Sequence, residues 1–154
     1  MTREKFGDFE LELEWKISPG GNSGVMFGVD ESSDKAYHTG PEIQILDDSG
    51  QKTSKNPLYL AGAIYALYPP LTHPVKRAGE WNALRVRVER NRIQAWLNGA
   101  LTADATIGSE DWTARVKKSK FAAFPKFAKV RDGSIVLQDH SRPVWFRNIR
   151  IRKL

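Results

Sequence analysis

From Asp8 to Ile17 the chain alternates without a break: Phe9, Leu11, Leu13, Trp15 and Ile17 are apolar, and Asp8, Glu10, Glu12, Glu14 and Lys16 separate them. A period of two sustained this long admits a strand with one buried and one wet face. It excludes a helix, whose apolar stripe recurs every three to four residues. The pattern returns where Arg85, Arg87, Arg90 and Arg92 interleave with Leu84, Val86, Val88 and Ile93. Residues 81–89 and 92–98 therefore read as a hairpin turning at Arg90-Asn91. Asn98-Gly99, the strongest short hairpin signal in the chain, adds a third strand ending near Ala105.

The remaining elements follow from turn residues. Pro19-Gly20-Gly21-Asn22 ends the first strand, and 23–29 reads as a second, with Val25 and Phe27 on one side and Gly24 and Met26 on the other. Glu42 to Leu46 is a third strand, flanked by polar loops over 30–41 and 47–60, and Ala61 to Tyr65 reads as a short strand before the prolines at 69, 70 and 74. Ser109 is a good N-cap with Glu110 and Asp111 in the first turn, so one short helix follows it, burying Trp112 and Val116. After a Phe- and Lys-rich loop over 121–133, strands over 134–140 and 144–154 close the chain. Many strands and almost no helix predict an all-β, antiparallel two-sheet sandwich.

With 154 residues, 1–154 is one domain, large enough to bury a core. The absence of cysteine removes disulfides and thiolate metal sites, no apolar run is long enough to cross a bilayer, and no signal peptide precedes the first strand. A net charge of +6 and a pI near 9.7 raise the question of an anionic partner. Most of the basic residues alternate along strands as solvated faces do, apart from a denser group at Arg147, Arg150, Arg152 and Lys153. No nucleic-acid recognition element accompanies them, so no nucleic-acid partner is expected.

Candidate chemistry gathers on few residues. In Gly40-Pro41-Glu42-Ile43-Gln44-Ile45-Leu46, strand alternation projects Glu42 and Gln44 from one face while Ile43 and Ile45 bury on the other. A carboxylate beside an amide on a strand suits sugar hydroxyls or acid/base work, and equally suits an exposed polar face. At the end of the penultimate strand Gln138 and His140 share a face, and an imidazole exchanges protons at neutral pH without tuning. His38 and His73 have no partners at useful spacing and read as surface residues. Trp96, between Gln94 and Asn98, and Trp145, beside the basic cluster, are candidate platforms for a sugar ring, though for Trp96 taken alone packing under the helix or a loop is the favoured reading. No metal-ligand or nucleophile-elbow motif occurs. No cofactor is specified, and a divalent cation held by Glu42, His140 and substrate oxygens stays open.

A set of segments in fixed order carries a resemblance: Gly7-Asp8-Phe9-Glu10-Leu11, Asn22-Ser23-Gly24-Val25, Gly40-Pro41-Glu42-Ile43-Gln44-Ile45, Gly62-Ala63-Ile64-Tyr65, Gly79-Glu80-Trp81-Asn82, Trp96-Leu97-Asn98-Gly99, Leu137-Gln138-Asp139-His140 and Phe146-Arg147-Asn148-Ile149. Singly weak and together specific, they resemble the bacterial 3-keto-disaccharide hydrolase family, first catalogued as a domain of unknown function. The resemblance implies a concanavalin-A-like jelly roll, a carbohydrate substrate, and a periplasmic or extracellular location. Relatives usually carry several tens of residues before the Asp-Phe-Glu-Leu strand. The resemblance therefore implies that N-terminal strands are missing here and that loops, a homo-oligomer or a strand-completing partner would cover the edges. Lys76-Arg77-Ala78-Gly79 also departs from the family's Lys-Pro-x-Gly.

The implied chemistry is elimination. A ketone at C3 acidifies the hydrogen on C2, a base removes it, the group at C1 leaves, and water adds back to complete a net hydrolysis. His140 or Glu42 would be the base, and Arg147, Gln44 or a cation would stabilise the oxyanion. Asn22, Tyr65, Gln138, Trp96 and Trp145 would hold the sugar. Two alternatives stand beside it: a non-catalytic carbohydrate-binding module, and a conventional glycosidase pairing Glu42 with Asp47 or Asp139.

Overall fold

The alternating run becomes the middle of a sheet. A computed structural model describes residues 1–50 and 55–154; residues 51–54, in the expected loop over 47–60, lie outside them. The strands are β1 (Phe9–Ile17), β2 (Asn22–Val29), β3 (Glu42–Leu46), β4 (Asn82–Glu89), β5 (Arg92–Leu97), β6 (Ala100–Thr106), β7 (Ser134–Leu137) and β8 (Val144–Lys153), with one helix, α1 (Glu110–Lys118). They form a five-stranded sheet ordered β6-β5-β4-β1-β8 and a three-stranded sheet ordered β3-β2-β7. Every strand pair is antiparallel. This is the expected antiparallel two-sheet sandwich.

Registry follows from the pattern. Leu11 faces Val86 and Leu13 faces Leu84 across β1 and β4, so the apolar phases of both strands fall on the inner face. The small sheet answers with Val25, Phe27, Ile43, Ile45 and Ile135, all buried, and the rings of Phe9 and Phe27 meet edge to face at 5.8 Å across the sandwich. Both hairpins turn as their residues require. Arg90 and Asn91 have φ of 48° and 69°, and Asn98 and Gly99 have 51° and 85°, the left-handed pair of a two-residue turn.

Two expectations are corrected. Residues 61–65 are not a strand: they hydrogen-bond to β3 through Gly62 N–H to Gln44 O and Tyr65 N–H to Glu42 O, both 2.9 Å. Positive φ at Gly62 and Ala66, 83° and 58°, then curls the segment into turns. β7 stops at Leu137, short of His140, because the backbone folds back through Ser141 (φ 58°) and Arg142 N–H reaches His140 O at 2.7 Å.

The other face of the small sheet is covered by the 109–128 segment and the loops before β3 and after it. Ser109 caps α1 by accepting from Trp112 N–H at 3.1 Å. Rings then stack in series: Tyr68 on Trp112 at 5.9 Å, Trp112 on Phe127 at 6.4 Å and Phe127 on Phe121 at 4.0 Å. Phe121 lies in a 3-10 turn over Lys120–Ala123, capped by Ser119, whose hydroxyl accepts from Phe121 N–H at 3.1 Å. Among the described residues no helix is long and apolar enough to cross a membrane. Because Phe121 is buried and anchors this segment, Phe121→Ala is expected to lower the unfolding free energy by about 3 kcal/mol or more in urea titrations, the usual cost of emptying a Phe site.

Candidate functional site

β3 is buried on both faces, although its sequence alternates. Glu42 and Gln44 lie on the outer face of the small sheet, opposite Met26 and Gly24, and retain only 6% and 3% of their surface. The Glu42 side chain lies across Gly24: a Cβ there would meet its Oε1 at 1.9 Å and its Cγ at 2.7 Å. Gly24 is therefore the gap that accepts the carboxyl group. Gln44 Nε2 donates to Asn22 Oδ1 at 3.2 Å, fixing two amides side by side.

Beyond β7 the chain remains tied to β2. Gln138 N–H donates to Gly24 O at 2.9 Å, and Ser23 Oγ donates to Gln138 O at 2.7 Å. The Gln138 side chain is thus held at the same face, with its Oε1 buried and without a hydrogen-bond partner among the described residues. His140 follows on the exposed turn, with Ser141 Oγ 3.4 Å from its Nδ1. Tyr65 comes from the turns after β3, Tyr37 from a 3-10 turn over Ala36–His38, and Lys120 from the turn anchored by Phe121. The Lys120 ammonium lies 3.4 Å from the Tyr65 hydroxyl and 4.4 Å from the centre of its ring.

Asn22, Tyr37, Glu42, Gln44, Tyr65, Lys120, Gln138 and His140 together line one cavity of about 250 Å³. Its floor is the Glu42 carboxyl, which hydrogen-bonds to no other described side chain. Burial pushes this group up to about 8, while the Lys120 ammonium pulls the other way. Glu42 therefore holds its proton at neutral pH, inside a pocket with a carbonyl oxygen on Gln138 still to be satisfied. Burial, and secondarily the Glu42 charge, raises the Tyr65 phenol, so it too keeps its proton. Among the described residues no three His, Cys, Asp or Glu side chains gather as a cation cluster.

The matching family model covers residues 1–152 and describes a 3-keto-alpha-glucoside-1,2-lyase-like domain. The chain belongs to this family. It is 32% identical over 173 aligned positions to a 3-keto-disaccharide hydrolase of Bacteroides thetaiotaomicron, covering 97% of this chain; it spans only 60% of that relative's length. Among solved structures it resembles a presumptive glycosyl hydrolase from Parabacteroides distasonis, with TM-score 0.92, 33% identity, and coverage of 99% of this chain and 75% of that one. A carbohydrate-binding module from Bacillus subtilis shares the fold at TM-score 0.62 and 16% identity, covering 98% of this chain and 78% of the module.

In this lyase-like domain three expected sugar contacts lie elsewhere. Trp96, Trp145 and Arg147 stand on the outer face of the five-stranded sheet, because their strands, β5 and β8, belong to that sheet and their polar phase points away from the core. Arg85 stacks on the Trp96 ring at 3.9 Å, the Lys16 ammonium lies 4.6 Å from the Trp145 ring centre, and Arg147 covers Trp81 at 3.9 Å while pairing with Glu14. Trp96 lines a wider groove of about 580 Å³ there with Glu12, Glu14, Arg85, Asn148 and Arg150. That groove is larger, yet its indole is already covered by Arg85. The smaller cavity is the one that holds a buried amide oxygen, Gln138 Oε1, without a hydrogen-bond partner among the described residues. Asp47 and Asp139 are also outside the cavity; Asp47 accepts from Gly20 N–H at 2.7 Å and from Ser49 Oγ at 2.7 Å, a loop-closing role.

Tyr37 and Lys120 were not read from the sequence. Both stand in irregular segments where no periodicity says which way a side chain points.

Retaining Glu42 costs stability in a defined pH window. The folded carboxyl titrates at about 8 and the unfolded one near 4.5, so the contribution of the buried neutral form is full below 4.5 and is lost as pH rises through 8. Glu42→Gln is expected to raise the melting temperature by several degrees at pH 8.5 and to leave it nearly unchanged at pH 4, as read by thermal denaturation at both values.

Proposed function

We propose that this domain cleaves 3-keto-glucosides or 3-keto-disaccharides by removing the C2 proton, expelling the group at C1 and returning water to the resulting double bond. The observation that carries this reading is the solitary, proton-bearing Glu42 at the floor of a cavity whose rim holds an imidazole. A conventional glycosidase needs two carboxyl groups flanking the bond. This cavity is lined by one, with Asp47 and Asp139 both elsewhere. The family's description and the name of the Bacteroides relative support the same chemistry.

The roles follow from protonation and place. His140, at the exposed rim, takes the C2 hydrogen, since an imidazole is a base available at neutral pH. The C2–H electrons become the C2=C3 bond of an enolate. When the oxyanion restores the ketone, the C2=C3 electrons move to form C1=C2, the C1–O bond breaks and the departing oxygen takes the proton that Glu42 holds. Water then adds at C1, giving one proton back to the Glu42 carboxylate, and the proton on His140 returns to C2. Asn22, Gln44 and Gln138 hold hydroxyls, with the Gln138 oxygen accepting one of them, and Tyr65 holds the sugar from the opposite wall. A lectin could use the same amides, but it has no need of a neutralised carboxyl buried at a stability cost, and this favours chemistry over binding alone.

The wild-type domain is expected to cleave a 3-keto-glucoside, to leave the unoxidised glucoside intact, and to incorporate deuterium at C2 in deuterated water. His140→Ala should depress both cleavage and exchange by roughly 10²-fold or more, whereas Glu42→Gln should depress cleavage more than exchange. Cleavage should fall as pH rises through about 8, where Glu42 loses its proton, and that falling limb should vanish in Glu42→Gln. Binding of the keto sugar without turnover or exchange would establish a carbohydrate-binding module instead. Equal cleavage of the plain glucoside would establish ordinary hydrolysis.

A further inference from the structure

Enolate formation places negative charge on the oxygen at C3, and the residue first considered for that charge, Arg147, is on the wrong sheet. Among the residues lining the cavity, Lys120 supplies the ammonium group. Its position is built. The buried Phe121 beside it stacks on Phe127 at 4.0 Å, and Ser119 caps the turn, so the Lys120 backbone is anchored although its side chain reaches solvent. Two aromatic walls confine that side chain, with its ammonium 4.4 Å from the Tyr65 ring centre and 5.4 Å from the Tyr37 ring centre.

The polar geometry is as specific. Lys120 Nζ donates to the Tyr65 hydroxyl oxygen at 3.4 Å, which leaves the phenol's own proton free to point into the cavity. An ammonium and a phenol proton then converge from one side, with the amides of Gln44 and Asn22 on the floor. We propose that Lys120 and Tyr65 form the carbonyl-recognising element of this site, holding the C3 oxygen as a ketone and then as an enolate, and so setting the selectivity for oxidised over unoxidised sugars. An alcohol at C3 gains little from two donors, because it cannot carry the growing charge that strengthens both hydrogen bonds. No electron or proton moves to Lys120; Tyr65 keeps its proton throughout.

This assignment rests on the elimination chemistry proposed above, and its test separates the two. Lys120→Met, Lys120→Arg, Tyr65→Phe and the double variant Lys120→Met/Tyr65→Phe would be assayed for cleavage of a 3-keto-glucoside and for C2 deuterium exchange. Calorimetric binding of the 3-keto-glucoside and of the plain glucoside would be measured in parallel, with thermal melts to establish folding. Lys120→Met is expected to lose about 10²- to 10³-fold in kcat and in exchange with a smaller change in KM, the usual cost of removing one oxyanion donor. Lys120→Arg should recover part of this loss. The double variant should lose less than the product of the single losses, because both groups hold one oxygen. The binding preference for the keto sugar should shrink in Lys120→Met. Turnover and exchange within threefold of wild type in Lys120→Met would overturn this inference while leaving the elimination reading intact. A wild type that neither turns over nor exchanges would overturn the elimination reading. The carbonyl assignment would then fall with it if binding shows no keto preference, and would survive as a recognition element if that preference is present and lost in Lys120→Met.

Discussion

A mostly buried carboxyl group, hydrogen-bonded to no other described side chain, is the constraint around which this sandwich is organised. The charged form of Glu42 would be costly at that depth, so the group stays neutral, and neutrality depends on every element that excludes water from β3. Gly24 has no side chain because the Glu42 chain occupies that space. The loops over β3, the 3-10 turn bearing Tyr37 and the aromatic series from Tyr68 through Phe121 form the cover. The core between the sheets is ordinary hydrophobic packing. The second, outer layer over the small sheet is what converts an alternating strand into one buried on both faces.

The fold was largely legible because period-two alternation and left-handed turn pairs are local signals. β1, the β4–β5 hairpin, the Asn98-Gly99 turn and the Ser109 cap each follow from a few consecutive residues and formed where expected. Residues 61–65 misled because hydrophobicity there reflects burial against β3, while Gly62 and Ala66 prevent an extended path. Strand alternation also identified Glu42, Gln44 and Gln138 as members of polar faces, and the structure brings them to one cavity.

Alternation could not say which polar face matters. Trp96 and Glu42 both occupy the polar phase of a strand, yet one belongs to the five-stranded sheet and the other to the three-stranded sheet, facing opposite ways. That choice depends on strand order, a long-range property absent from the local pattern. Lys120 and Tyr37 were invisible for a related reason: each is carried by a short 3-10 turn, anchored for the former by the buried Phe121 and packed for the latter against the Phe124 ring, 5.8 Å from that of Tyr37.

Electrostatic satisfaction separates the two polar faces more sharply than their size does. On the outer face of the large sheet Arg152 and Arg87 share Glu10 at 2.9 and 3.7 Å, Arg92 pairs with Asp104 at 2.6 Å, and Arg147 pairs with Glu14. Such exposed pairs add little stability, but they tie up Glu10, Glu14 and Asp104 on that face. In the small cavity the opposite holds. A carboxyl group is mostly buried, an amide oxygen is buried without a hydrogen-bond partner among the described residues, and an ammonium is held between two phenol rings. Buried polar atoms without a partner also occur at Trp15 Nε1 and Ser18 Oγ, so what sets Gln138 Oε1 apart is its place in a cavity lined by further amides, a phenol and an ammonium, where a bound hydroxyl group can reach it.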